Sequence, residues 1–335
     1  MATTGTDLNR AVQYLQQDEL VAIPTETVYG LAGNAYSEKA VVKIFSAKKR
    51  PSFDPLIVHT NALESAKDFL LEIPDTAYIL AEKFWPGPLT LILPKNSRIP
   101  ELVSSGLNTV GVRIPRHPLS LQLLEKLNFP LAAPSANPFG YISPTTASHV
   151  EEQLGAHIPY ILDGGACEVG VESTIIGFEG DRVIVYRLGG MSLEELQQWV
   201  PGKLEVKAHS SSNPVSPGQL ESHYAPRKPL LLGNIQELLH VHGKKGIGVL
   251  SFKDIYPETT QYTLSASADL AEAARNLFKA LRELDSSPVK MIIAERVPDY
   301  GLGRAINDRL KRASAGSVPK ETFNFDTTSS EALDQ

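Results

Sequence analysis

Short apolar runs alternate with amphipathic segments along the first 200 residues. Leu20-Val21-Ala22-Ile23 is an apolar run stopped by Pro24, which reads as a buried strand. Between residues 38 and 49, Val41, Val42, Ile44 and Phe45 are interleaved with charges at helical spacing, and Pro51 ends the segment. A residue that precedes proline avoids the helical region, so Arg50 is predicted to be extended. Residues 89–93, 109–114, 173–176 and 183–186 read as strands, and 77–84 and 120–127 as helices. Strands and helices mixed in this way predict an α/β or α+β domain built on one dominant sheet.

The pattern breaks over residues 208–228, which are rich in Ser, Pro and Gly and poor in aliphatics, the composition of an interdomain linker. Strands are then predicted at 230–232, 246–251 and 291–294, and helices at 235–240, 268–284 and 305–314. That alternation predicts a small parallel sheet of the Rossmann type. The division is therefore a first α/β domain over 1–205, a connecting segment over 206–228 and a Rossmann-like α/β domain over 229–335, with the last dozen residues frayed.

Composition agrees with two folded domains. The 335 residues exceed one typical core, and 42% hydrophobic with 21% charged residues excludes wholesale disorder. No run of about 18 apolar residues is present, which excludes a transmembrane helix and any membrane role built on one. The first residues carry no basic stretch ahead of an apolar core, so no secretory signal is predicted. Cys167 is the only cysteine, which suits a cytoplasmic location. Residues 1–200 hold 15 Lys+Arg against 22 Asp+Glu, leaving 17 against 16 for the remainder of the totals of 32 and 38. Neither part is a generally basic nucleic-acid module.

Several strings carry candidate chemistry. Pro24-Thr25-Glu26-Thr27-Val28-Tyr29-Gly30-Leu31 packs hydroxyls, a carboxylate and a phenol into a turn after the first strand. Lys48 and Arg50 would share a face in extended structure and could meet one anion, although the same cations suit a solvated helix end. On a strand through 109–114, Val110, Val112 and Ile114 face the core while Thr109, Gly111 and Arg113 share the other face. Gly111 then leaves a gap for a ligand between a hydroxyl and a guanidinium, unless that face is simply exposed. Ser135 and Asn137 lie among small residues, and Ser143 follows in a Ser-Pro-Thr-Thr stretch. Trp85-Pro86-Gly87-Pro88 reads as a rigid turn. His240 and His242 do not share a helix face, so no metal site is predicted there.

Taken in order, Pro24 to Leu31, Lys48-x-Arg50-Pro51, Pro55-Leu56-Ile57-Val58-His59, Trp85 to Thr90, Val112-Arg113-Ile114-Pro115, Ala133-Pro134-Ser135-Ala136-Asn137 and Glu172-Ser173-Thr174 resemble the YrdC-type threonylcarbamoyl-adenylate synthases. The segment from Ser216-Pro217-Gly218 to His223-Tyr224-Ala225-Pro226, with the tail, is similar to the family's long, two-domain form. The resemblance implies a YrdC-like twisted sheet with a large, positively lined concave cavity, followed by a Rossmann-like domain. It implies synthesis of threonylcarbamoyl-AMP and pyrophosphate from L-threonine, bicarbonate and ATP with Mg²⁺. The product would pass to threonylcarbamoyl transferase proteins that make t6A in tRNA. Carried over by position, Thr27, His59, Arg113, Ala133 and Ser173 would hold threonine. Lys48, Arg50, Asp54, Thr109, Ser135, Asn137, Ser143, Arg187 and Tyr224 would hold ATP, with no protein-bound metal. Asp54 stands where the family has asparagine. Because Tyr224 falls in the supposed linker, residues 216–226 are expected to form a lid over the cavity. The alternative is a non-catalytic RNA-binding module using the same cavity, which the acidic first domain disfavours. A hydrogenase-maturation carbamoyl transferase would carry Cys-rich zinc motifs, and one cysteine does not supply them.

Overall fold

Val21–Ile23, Leu89–Pro94 and Thr109–Arg113 are apolar enough to be covered on a buried face, and all three lie inside one eleven-stranded sheet. The computed structural model describes residues 1–180, 182–207, 216–218 and 220–316. From one edge the strand order is Thr3–Gly5, Tyr160–Leu162, Val21–Ile23, Gly30–Asn34, Leu131–Ala132, Ile57–His59, Thr109–Arg113, Leu89–Pro94, Thr174–Glu179, Arg182–Arg187, Glu205–Val206. Parallel and antiparallel pairs are mixed. Ile57–His59 runs parallel to Thr109–Arg113, and Leu89–Pro94 runs antiparallel to it. The alternation expected of Thr109–Arg113 is observed: Val110 and Val112 sink into the main core, and Arg113 emerges on the opposite face.

Ser37 caps the helix Glu38–Lys48 by accepting from the Ala40 amide, and Ala40, Val41, Ile44 and Phe45 bury its inner face. The helix stops at Lys49, which is left-handed at φ 53°. This corrects the expectation that Lys48 and Arg50 point together. A left-handed residue between them replaces the extended geometry, and the two side chains take different carbonyls, Lys48 those of Ser135 and Asn137 and Arg50 those of Asp54 and Pro55.

The tail forms an all-parallel four-stranded sheet in the order Leu230–Leu232, Met291–Ala294, Ile247–Ser251, Thr260–Thr263, with helices Ile235–His242, Leu270–Ser286 and Gly303–Ala315. The first sheet runs on to Val206, so it ends just inside the segment read as connecting. The remainder of that segment lies outside the described residues at 208–215 and 219, as do the frayed end and the rest of the tail from 317 onward.

The tail is docked against the first domain. Val28, Ile142 and Val171 share an apolar cluster with Leu277, Phe278 and Leu281 of the helix Leu270–Ser286. The same helix sends Arg282 to the carbonyls of Ile142 and Ser143, and Asp285 accepts from the Tyr141 hydroxyl at 2.6 Å. Gly170 permits this approach. Its φ is +80°, and a Cβ there would lie 2.4 Å from the Cα of Arg275.

Gly170→Ala should therefore cost roughly 3 kcal/mol of stability, because backbone strain and a backbone clash act together. Urea unfolding of the full chain reads this directly. An unchanged midpoint would show that the domains do not depend on this close approach.

Candidate active site

A cleft of about 550 Å³ opens where the turn after Val21–Ile23, the end of Ile57–His59 and the free face of Thr109–Arg113 meet the loops carrying Ala133 and Ser173. Thr27, Arg50, His59, Arg113, Ala133, Ser135, Ser173, Arg187 and Tyr224 all line it. Thr109 lies in an adjoining hollow of about 240 Å³, which shares Ile57 and Pro217 with the cleft. Lys48, Asp54, Asn137 and Ser143 are buried and are not on the wall.

On one side of the cleft, Arg113 is only 4% exposed although it carries a full charge. Its Nη2 lies 2.8 Å from Glu26 Oε2, and its Nε donates to the Gly87 carbonyl at 3.2 Å. The Trp85-Pro86-Gly87-Pro88 turn thus supplies an acceptor that aims the guanidinium, and the Trp85 indole is anchored by its own bond to Leu89 O at 2.7 Å. Glu26 was not singled out by residue pattern. Its signal was a carboxylate inside an otherwise small and hydroxylated turn, but only the fold shows that it faces Arg113.

Nearby hydroxyls and an imidazole have fixed polarity. Thr25 donates to the Val28 carbonyl at 2.6 Å, so the 2.8 Å contact between Thr25 and Thr27 takes its hydrogen from Thr27. The lone pairs of Thr27 remain available. His59 Nδ1 sits 3.3 Å from the Ile57 carbonyl, which can only accept, so Nδ1 carries the hydrogen and Nε2 is an acceptor. Burial, with Arg113 beside it, pushes the His59 pKa down to about 3 and keeps the ring neutral.

Arg50 and Arg187 line the same cleft. Arg50 donates to the carbonyls of Asp54 and Pro55 at 3.0 and 2.8 Å, and its Nη2 is 2.9 Å from Asp54 Oδ2. Asp54 therefore faces Arg50. Burial raises its pKa although Arg50, Lys48 and Arg187 pull the other way. Arg187 donates to Ser173 O and Ser173 Oγ at 3.0 Å each, and to Pro217 O at 3.3 Å. Lys48 and Asn137 have structural partners. The Lys48 ammonium reaches the carbonyls of Ser135 and Asn137 at 2.5 Å each, and the Asn137 amide donates to Pro138 O and Tyr141 O. They clip the loop that carries Ser135 and are not set on the cleft wall.

Pro217, Gly218, His223 and Tyr224 cover the cleft from the connecting segment. Tyr224 is left-handed at φ 60° and only 1% exposed, with its ring 4.1 Å from His223 and 5.6 Å from Phe278. Gly218 has φ +83°, and a Cβ there would stand 2.7 Å from the Tyr224 hydroxyl. Behind the wall, Ser143 donates to Glu172 Oε1 at 2.5 Å, and Arg309 of the tail donates to Glu172 Oε2 at 2.8 Å. Sequence reasoning did not find Arg309, which lies 137 residues from its partner on an ordinary amphipathic helix.

Residues 13–189 match a family described as telomere recombination, which groups Sua5, YciO and YrdC, and residues 191–315 match the C-terminal domain of threonylcarbamoyl-AMP synthase. The threonylcarbamoyl-AMP synthase of Pyrococcus abyssi is 40% identical over 327 residues, covering 92% of this chain and 94% of its own. That of Bacillus subtilis is 40% identical over 332 residues, covering 95% and 96%. The crystal structure of P. abyssi Sua5 complexed with L-threonine matches with a TM-score of 0.87 at 39% identity, over 94% of this chain and 97% of that one. Escherichia coli YciO, at 21% identity and a TM-score of 0.50, covers 56% of this chain and 96% of its own, and shares the fold of the first domain.

Burial also pushes His223 well below its ordinary pKa, reinforced by Arg50, Lys48, Arg309 and Arg187. A histidine whose folded pKa is depressed contributes fully above the unfolded value near 6.5, and that stability is lost as pH falls toward the folded value. Each of His59 and His223 should then steepen the loss by up to ~1.4 kcal/mol per pH unit below about 6.5. Melting curves between pH 7 and pH 5 should show this fall, and His59→Gln should flatten it. An identical slope in the variant would mean that His59 takes up its proton in the folded state.

Proposed function

The chain belongs to the two-domain threonylcarbamoyl-AMP synthase family, and from that premise we propose how its cleft makes L-threonylcarbamoyladenylate. The enzyme joins L-threonine, bicarbonate and ATP, releases pyrophosphate, and serves the t6A modification of tRNA. The observation that supports the residue assignment is that Arg113, neutral His59 and Thr27 line one cleft together with Arg50 and Arg187.

Threonine's carboxylate pairs with the Arg113 guanidinium, whose own charge Glu26 partly offsets. Its amino group faces the acceptors Thr27 Oγ1 and His59 Nε2, while Ala133 and Ser173 bound the side chain. The amine nitrogen attacks the carbon of carbon dioxide or bicarbonate, and bicarbonate loses its oxygen as water. A carbamate oxygen then attacks the α-phosphorus of ATP. The bond from that phosphorus to the bridging oxygen breaks, and its electrons leave on pyrophosphate. No protein nucleophile is required, so the residues contribute positioning and charge.

The nucleotide lies across Arg50 and Arg187, with Ser135 and Tyr224 beside it. Thr109, in the hollow that shares Ile57 and Pro217 with the cleft, bounds the nucleotide on that edge. Lys48, Asn137 and Ser143 act from behind the wall, and Asp54 acts through Arg50. Mg²⁺ would screen the phosphates. Residues 216–226 form a lid that shields the labile adenylate from water. The product passes to threonylcarbamoyl transferases in the cytoplasm.

Arg113→Ala removes the carboxylate partner and should raise the threonine KM by about a hundredfold, the equivalent of ~2.7 kcal/mol. Chromatographic assay of threonylcarbamoyl-AMP at varied threonine tests this, and unchanged threonine dependence would displace threonine from that strand. Asp54→Asn should act on the other substrate. Freeing the Arg50 charge is expected to lower the ATP KM by about tenfold, ~1.4 kcal/mol. A higher ATP KM would show instead that Asp54 is needed to hold Arg50 in place.

A further inference from the structure

We infer that Arg309, contributed by the tail, is a positioning residue for the nucleotide side of the cleft and gives that side its surplus positive charge. The inference rests on the reading of this cleft as the ATP site. Arg309 heads the fully buried side chains by volume and belongs to the helix Gly303–Ala315. Its Nε donates to Glu172 at 2.8 Å and its Nη1 to Asp308 at 2.7 Å, while its Cζ lies 4.9 Å from the Tyr224 ring centre. Glu172 and Tyr224 both line the cleft, so one tail side chain sets two parts of its wall.

The charge balance gives this contact its meaning. Glu26 offsets Arg113, and Asp54 offsets Arg50. Glu172 and Arg187 make no direct ion pair, but both line the cleft and each feels the other's charge. Asp308 is shared between Arg309 and Arg312. Without Arg309, the Glu172 carboxylate on the cleft wall would keep its negative charge and weaken the pull on a triphosphate. With it, Glu172 is neutralised from behind, and Arg187 is left to act on the ligand.

Docking alone does not call for such a group. The tail already meets the first domain through Val28, Ile142, Val171, Leu277, Phe278 and Leu281. A buried ion pair is often no more stabilising than apolar residues of the same volume, whereas removing one partner strands a charge. The pair is therefore explained by what it does to the wall.

The test uses the full-length enzyme and compares Arg309→Met, Arg309→Lys and the double variant Arg309→Met with Glu172→Gln. Arg309→Met should raise the ATP KM at least tenfold while the threonine KM stays within about twofold. The double variant should recover most of the ATP KM, because the stranded carboxylate is gone. Arg309→Lys, which keeps the charge, should fall between wild type and Arg309→Met, and it serves if the methionine variant does not fold. Melting temperatures of each variant separate folding from binding. Equal rises in both KM values, or a double variant no better than the single, would overturn the role of Arg309. Failure of the wild-type enzyme to bind ATP would instead remove the reading on which the inference rests.

Discussion

Charge buried without a partner is among the largest penalties a fold can carry, and this chain concentrates its buried charge around one cleft. Arg50, Arg113, Arg187 and Arg309 are each at most 8% exposed. They persist there because Glu26, Asp54, Glu172 and Asp308 are spaced among them, and because backbone carbonyls of Asp54, Pro55, Gly87 and Ser173 accept hydrogens from Arg50, Arg113 and Arg187. Those carbonyls lie just ahead of the strands Ile57–His59, Leu89–Pro94 and Thr174–Glu179, so the sheet fixes the acceptors and the acceptors fix the guanidinium groups. The architecture can be understood as a scaffold for holding like charges close together.

The same constraint accounts for the second domain's place. An isolated first domain would expose Val28, Ile142 and Val171 and leave Glu172 with Ser143 but without Arg309. Docking of the helices Leu270–Ser286 and Gly303–Ala315 covers the apolar residues and completes the carboxylate's partners at once. The part of the connecting segment that lines the cleft shares this foundation. Arg312 donates to Leu220 O, the Tyr224 ring packs on Phe278, and Arg187 holds Pro217 from the other domain. The covering segment is thus tied on both sides of the domain boundary.

Periodicity was enough to locate the strands through Leu91, Val112, Ile176 and Val185 and three of the tail's four, because each carries a strong apolar signal, which Thr260–Thr263 lacks. The short strands Gly30–Asn34, Ile57–His59, Leu131–Ala132 and Tyr160–Leu162 escaped it. Gly30–Asn34 has two glycines in five residues, and the others are two or three residues long, so pairing defines them more than composition does. The candidate site was legible as a set of strings in order, which brought Thr27, His59, Arg113, Ser173 and Tyr224 to notice. What the strings could not convey was partnership. Lys48 and Arg50, separated by one left-handed residue, bond different carbonyls, and Glu26 and Arg309 gain their roles only through contacts 87 or more residues away in sequence.

Polarity within the cleft follows from those contacts and bears on the chemistry. A hydroxyl that has donated its one hydrogen can only accept, and Thr27 donates to Thr25. A histidine held neutral with Nδ1–H toward a carbonyl also presents an acceptor, and His59 is so held. On the proposed assignment, two acceptors beside the Arg113 donor meet the amine and carboxylate ends of an amino acid. Arg50 and Arg187 line the same cleft, and their hydrogens would meet phosphate oxygens. An amine nucleophile and a phosphorus centre would then be brought together in one cleft. The reaction would need these groups held rigidly, and burying the arginines beside carboxylates serves that end.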